Sequence, residues 1–361
     1  MSGREFDVQV LHTAPDSPRG QLLQQYVLAR VMSMVGIDLA LYDYDRHNSL
    51  YYFAVSPEEE IYFRYGGRDS ESQDTYLNLS SLELALQTGL EMHEACPRGE
   101  LPAMKRPEPK FPRDIPGMNE AVVRKGHCVE CHHIAHFETM AAEENGTLDK
   151  VRQMYRSPDI RTIGIHLDIP RGLRIDTVEG SAEAAGLRGG DIIRKINEHP
   201  VVTFGDFQYF YDQVDRDANS IEVTVEREGD ELTVPIFFPH LWWVTDLVHR
   251  YWTVEPLIYF EATPLTIEEK KIRGFREDGF ASTVSKVAFD AMLHSAHELE
   301  EGDIIHSVNG VETDLLTKEN LVVHIKLRHR SGERLTLGVI RDGKEMELPL
   351  NTIRKVFRRK E

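Results

Sequence analysis

Apolar and polar positions along this chain change period several times, and each change marks an element. Ser49–Tyr65 reads SLYYFAVS and then EIYFRYGG around Pro57-Glu58-Glu59, which predicts a β-hairpin. From Ser80 to His93 apolar residues fall at 82, 84, 86 and 90 behind a plausible Ser80 N-cap, which predicts a closing helix. Leu22–Met34 carries a β-rich apolar run. Prolines at 97, 102, 107, 109, 112 and 116 then forbid regular structure and mark a linker over 96–120. A Cys/His-dense stretch occupies 124–140, and a helical pattern leads on to about residue 158.

Beyond this point the chain repeats itself. Gly190-Asp191-Ile192-Ile193, running to Asn197, recurs as Gly302-Asp303-Ile304-Ile305, running to Asn309. Arg227-Glu228-Gly229 likewise recurs as Arg341-Asp342-Gly343, each inside a strand–turn–strand pattern. One small β-rich fold is used twice.

Charge narrows the partners. With 60 Asp+Glu against 42 Lys+Arg the formal charge is −18, which argues against nucleic acid or an anionic membrane as the main partner. No run reaches the ~18 apolar residues of a membrane span. The first residues, Met1-Ser2-Gly3-Arg4-Glu5-Phe6, contain no apolar leader segment. GxSxG, HExxH, Walker A and GxGxxG patterns are all missing, so no hydrolase or nucleotide machinery is expected.

The chemistry concentrates at Cys128-Val129-Glu130-Cys131-His132. This is CxxCH, the attachment pattern of c-type haem: two thiols on a helical turn each bond a vinyl group, and the next imidazole meets the iron. Chance placement of 3 Cys and 16 His would give such a match on the order of once in a thousand chains. Cys128 and Cys131 are then the covalent haem ligands and His132 the proximal iron ligand. Met140, Met118, Met104, His136 and His93 are the candidates for the distal position, a Met raising the potential and a His lowering it. Two other readings use the same residues: a zinc site from Cys128, Cys131, His133 and His136, or a plain thiol pair. The third cysteine, Cys96, is a spare.

Gly180–Ile193, GSAEAAGLRGGDII, closely resembles the GSPAAxAGLxxGDxI signature of bacterial PDZ domains. The second copy keeps EGDIIHSVNG but has Met292–His297 where the AAxAGL turn belongs, so it resembles a more divergent unit. The whole chain is similar to planctomycete-type proteins that join a thioredoxin-like domain, a CxxCH segment and two PDZ domains. The matching stretches are GIDLALYDYD (36–45), IYFRYGGRDS (61–70), LNLSSLELALQTGLEMHE (77–94) and CVECHH (128–133).

The resemblance implies an α+β multidomain chain. Residues 1–95 would be thioredoxin-like, 96–158 the linker and haem segment, and 159–239 the first PDZ unit. An aromatic connector would follow over 240–270, then the second PDZ unit over 271–353 and a basic tail over 354–361. His12–Gly20, where a thioredoxin-type redox centre would lie, contains no cysteine, so that chemistry is not expected.

PDZ units capture peptides by adding a strand to a sheet edge, with a backbone loop receiving the C-terminal carboxylate. The expected loops are Ile163-Gly164-Ile165 and Arg273-Gly274-Phe275. The alternative is that both grooves are filled by the chain itself. The expected function is that of a mono-haem c-type electron-transfer or redox-sensing protein that docks partner proteins through its PDZ units, with homo-oligomers also compatible. The competing expectation is a non-redox PDZ scaffold stapled by zinc. Covalent haem implies a periplasmic or extracytoplasmic site; without it, a cytoplasmic one is expected.

Overall fold

The structure, a computed structural model, describes residues 2–95, 106–245 and 254–353. It is an α+β protein with several small antiparallel sheets, divided into two compact units. One unit comprises residues 1–145 and 155–251, and the other 146–154 and 252–361.

The first unit opens with helices α1 (Gly3–Leu11) and α2 (Pro18–Leu23). Ser2 and Glu5 form a capping box on α1, and Ser17 caps α2 with Pro18 in its first turn. The predicted hairpin forms as β1 (Tyr52–Val55) and β2 (Ile61–Tyr65), and the predicted helix as α3 (Leu79–Ala95). Phe6, Phe63, Tyr65, Leu82 and Leu86 make their common core.

No thioredoxin-like sheet forms: the described part of 1–95 holds a single antiparallel pair. The apolar run at 22–34 supplies no strand, because α2 ends within it and nothing pairs with the rest. Val27, Leu28, Val31 and Met32 stand exposed. Nor is 1–95 separate, since it shares a compact unit with the first repeat.

The chain next forms α4 (Cys131–Glu144), while α5 (Lys150–Gln153) already belongs to the other unit. The first repeat follows as β3 (Ile165–Leu167), β4 (Ile175–Val178), α6 (Gly180–Ala184), β5 (Ile192–Ile196), β6 (His199–Pro200), α7 (Phe204–Gln213), β7 (Ser220–Arg227) and β8 (Asp230–Phe237). Its sheets are β3-β4 and β6-β5-β7-β8, joined by an Arg174–Ile192 bridge.

The second repeat runs β9 (Phe260–Pro264), α8 (Ile267–Ile272), β10 (Ser282–Val287), α9 (Asp290–Leu293), β11 (Ile304–Val308), α10 (Leu321–Arg328), β12 (Arg334–Arg341) and β13 (Lys344–Asn351). Here one sheet forms, in the order β13-β12-β11-β10-β9. The expected connector therefore ends early, since β9 is an edge strand of this sheet. The basic tail 354–361 lies outside the described residues.

The recurring motifs do the same work twice. Asn197 and Asn309 both turn at positive φ (50° and 49°), and each side chain accepts from the strand it faces, at Glu222 N and Thr336 N. Glu228 and Asp342 turn the last hairpins at φ 54° and 51°.

Candidate functional site

The Cys/His segment sits on an apolar cluster of its own. Met34, Leu39, Ile115, Met118, Val122, Val129 and Ile134 form its buried centre, and Cys131 and Phe137 pack against it. Met34 N bonds Val129 O and Leu39 N bonds Lys110 O, tying the proline-rich stretch and the CxxCH segment to the loop before β1. Short turns interrupt that stretch, at Pro112–Asp114 and Asn119–Val123.

Glu130 is the N-cap of α4, so the motif straddles the helix start rather than riding on one helical turn. Cys128 lies in the extended lead-in and is exposed; Cys131 opens the helix and is half-buried. Both thiols are free.

Tyr44, which sequence reasoning did not single out, places its hydroxyl 2.8 Å from Cys131 Sγ. Its ring stacks on Tyr51 at 4.7 Å, and the Arg46 guanidinium lies 4.4 Å from the ring centre. Burial, and then the Cys131 thiol, push the Tyr44 hydroxyl well above its ordinary pKa, so it stays protonated. No spacing rule links residues so far apart in sequence.

His132 Nε2 lies 3.4 Å from Glu130 Oε2. Burial lowers the imidazole pKa, outweighing the attraction of Glu130, so the neutral form suited to a metal is favoured. His133 and His136 are buried, and His133 Nδ1 accepts the Glu130 N–H at 3.3 Å. Among the described residues, Glu130, His132 and His133 are the His/Cys/Asp/Glu group whose ligand atoms converge, within 4.8 Å of one another. Of the Cys128, Cys131, His133, His136 zinc set, His133 belongs to that group and the two thiols and His136 do not.

The distal candidates separate by position. Met118 is fully buried in the cluster that Cys131 touches. Met140 and His136 ride on α4 with His132, at most ~12 Å up the same helix. His93, on α3, is exposed and bonds the Tyr62 hydroxyl at 2.8 Å, away from this cluster. Met104 and Cys96 lie outside the described residues.

In the first repeat Ile163-Gly164-Ile165 leads directly into β3. Ile163 and Ile165 are buried, Gly164 adopts φ 84°, and Gly164 O accepts from Glu179 N at 2.9 Å as β3 pairs with β4. In the second repeat Arg273-Gly274-Phe275 is not at that place. It follows α8, inside the excursion between β9 and β10. Ala288 N bonds Tyr259 O as Glu179 N bonds Gly164 O, so Ile258-Tyr259-Phe260 occupies the loop position. Tyr259 stacks on His294 at 5.5 Å.

All three tryptophans lie in or beside the former connector. Trp242 and Trp243 are buried in the first unit; Trp252 lies outside the described residues. Trp242 stacks on Phe238 and meets the Tyr211 ring at a tilt, 5.0 Å between centres, and its carbonyl accepts from Thr162 Oγ1 beside the Gly164 loop.

No family model matches this chain, and no curated protein does. Among solved structures it is similar to the HtrA-type protease AlgW with decapeptide, at 16% identity over 51% of this chain and 56% of that one, TM-score 0.26. AlgW with tripeptide matches at 17% over 50% and 59%, TM-score 0.26. An aminopeptidase N family protein from Idiomarina loihiensis matches at 17% over 29% and 15%, TM-score 0.20. At such TM-scores neither fold nor activity carries over, and the chain spans little more than half the length of the AlgW chains. No described helix is long and apolar enough to cross a membrane.

Proposed function

We propose that this chain is a tandem PDZ protein carrying one covalently attached haem c, serving electron transfer or redox sensing at a docked partner. The observation that carries the reading is the arrangement at the start of α4. Two free thiols three residues apart and a neutral-leaning His132 lie at the start of α4, where Cys131 packs on an apolar cluster that includes the buried Met118. The donor types suit the group: Cys128 and Cys131 would form the thioethers, and His132 and Met118 would be the iron ligands. Bound there, haem would supply reversible one-electron chemistry.

The protein's own residues do the rest. The apolar cluster excludes water from one side of the motif, and Tyr44 holds the Cys131 sulfur through a hydroxyl that remains protonated. Neutral histidine and thioether ligands favour a comparatively high potential.

The PDZ reading rests on the GSAEAAGLRGGDII signature and on a buried Gly164 loop leading into the edge strand β3. It assigns the repeats to peptide or partner docking. Attachment of haem would place the protein outside the cytoplasm.

Expression with a c-type maturation system tests the reading. A pyridine haemochrome spectrum, with haem retained after acid–acetone extraction and lost in Cys131→Ala, supports it. A colourless protein from the same cells overturns it. One observation favours a second reading: the converging Glu130, His132 and His133 atoms would suit a zinc ion. Stoichiometric zinc in the colourless protein, lost in His133→Ala, would establish that one.

A further inference from the structure

Residues 64–76 lie along α7 of the first repeat and are gripped over its first two turns. Arg64 N donates to Asp206 Oδ1 at 2.8 Å, and Thr203 Oγ1 donates to Arg64 O. Gln208 holds the backbone of Arg68 from both sides, accepting its N–H at 3.1 Å and donating to its carbonyl at 2.7 Å. Tyr76 stacks on Phe204 with ring centres 3.4 Å apart. The segment then reaches the turn before β3, where Ser70 N donates to Asp159 Oδ2 and Arg161 Nη2 to Ser70 Oγ.

It enters near the N-terminus of α7 and travels toward the Gly164 loop, the direction in which a peptide would approach that loop; it is held by α7 and by the turn before β3, while among the described residues β3 itself pairs with β4. Tyr65, Gly66 and Tyr76 leave only about 220 Å³ of open space against Ile169–Leu173, just past β3, and Val202–Phe204.

Two features set this segment apart from ordinary packing. Arg68 is fully buried, yet neither Nη1 nor Nη2 meets an acceptor among the described residues. A buried guanidinium left partly unpaired weakens the state that holds it. Gly66 and Gly67 sit at φ 142° and 121°, and a Cβ at Gly67 would come within 2.6 Å of the Phe204 ring. The close approach therefore depends on two residues with the widest backbone freedom.

We propose that residues 66–76, which leave the hairpin after Tyr65, are a displaceable strap occupying the peptide groove of the first repeat, which takes an external C-terminal peptide only after the strap has lifted. This rests on the PDZ reading above. In the closed state the apparent affinity of the groove falls by the fraction of molecules in which it is open.

The test uses the full chain, a library of decapeptides randomised over the last four residues with free carboxylates, and the same library as C-terminal amides. Gln208→Ala removes both bonds to Arg68, and Gly67→Ala presses the strap off Phe204. In either variant, amide exchange should accelerate at Arg68 and Ser70 but not in β5, β7 and β8, which reports that the repeat stays folded. Retention of free-carboxylate peptides should rise about tenfold or more over the parent, with amides not retained. Parent retention equal to both variants', or unchanged exchange at Arg68 and Ser70 in both, overturns the strap. Faster exchange with no retention by any chain overturns the PDZ reading and inhibition with it, while leaving the contact in cis intact.

Discussion

Arg227 holds Asp191 with a two-pronged grip, Nε and Nη2 each 2.7 Å from a different carboxylate oxygen. Arg341 holds Asp303 in the same way and at the same distances. Each Asp also accepts the backbone N–H three residues earlier, at Arg188 and Glu300. Each Arg reaches on to a carbonyl, of Gly186 or Glu298. The pair locks the turn before β5 or β11 to the end of β7 or β12.

Removing the acid should therefore hurt both repeats alike. Asp191→Ala and Asp303→Ala each strand a backbone N–H and break the two-pronged grip, for a loss of about 2 kcal/mol, with Arg341 keeping its 2.8 Å bond to Glu300 Oε1. Thermal denaturation of the full chain checks this. A loss in one repeat but not the other would show that the shared geometry is not shared energetics.

The same pair shows how far the sequence was legible. Gly-Asp and Arg-x-Gly stood out as recurring words, but nothing in their spacing said that one grips the other. The hairpin at 52–65, α3 and the repeat itself followed from apolar period and turn residues, which are local signals. The second loop did not, because α8 and its flanks are inserted between β9 and β10, and word matching then picks Gly274 over Tyr259. The thioredoxin-like expectation failed for a similar reason: the run at 22–34 has strand-like residues but no neighbouring edge to pair with. Cys128, Cys131 and His132 were legible as a motif, whereas Tyr44 and the strap are long-range contacts with no sequence signature.

The two loop glycines should differ sharply. A Cβ at Gly164 would drive into the Glu179 carbonyl, in a residue already at φ 84°, so Gly164→Ala should cost more than about 3 kcal/mol. Gly274, at φ 75°, has open space around it, and Gly274→Ala should cost only the left-handed backbone penalty of ~1 kcal/mol. Urea denaturation of both variants decides; equal losses would argue against the reassigned loop.

Acid should act through Asp314. Burial alone would raise its pKa, but the Arg328 fork and the N–H groups of Thr317 and Leu316 hold it at about 2. A carboxylate depressed in the folded state lends stability above its unfolded pKa of ~3.9, and that stability is lost as pH falls through the folded value. His324, 3.5 Å from Asp314, is buried among the same groups, and its own pKa is lowered. Between pH 4 and 2 the parent should lose melting temperature faster than Asp314→Asn. Parallel curves would remove Asp314 from the account.

The haem reading makes Met118 separable from the fold. Met118→Leu keeps nearly the same volume in a fully buried site, so stability should change by less than about 1.5 kcal/mol. In haem-loaded protein the same change would remove the thioether that Met118 would offer the iron. The midpoint potential should fall, and added imidazole should bind at concentrations that leave the parent spectrum unchanged. An unchanged potential and spectrum would assign the distal place elsewhere.

Thiol accessibility can be measured without any cofactor. Cys128 is exposed in an extended lead-in, whereas Cys131 is half-buried with its sulfur against the Tyr44 hydroxyl. Iodoacetamide should therefore alkylate Cys128 first and Cys131 markedly more slowly, as read by mass spectrometry of the intact and digested chain. Tyr44→Phe removes the hydroxyl while keeping the ring that stacks on Tyr51, a loss of about 1 kcal/mol at most. It should speed modification of Cys131 and leave Cys128 unchanged. Equal rates for the two thiols in the parent would mean that Tyr44 does not hold the sulfur, and that the start of α4 is not organised before any group is attached.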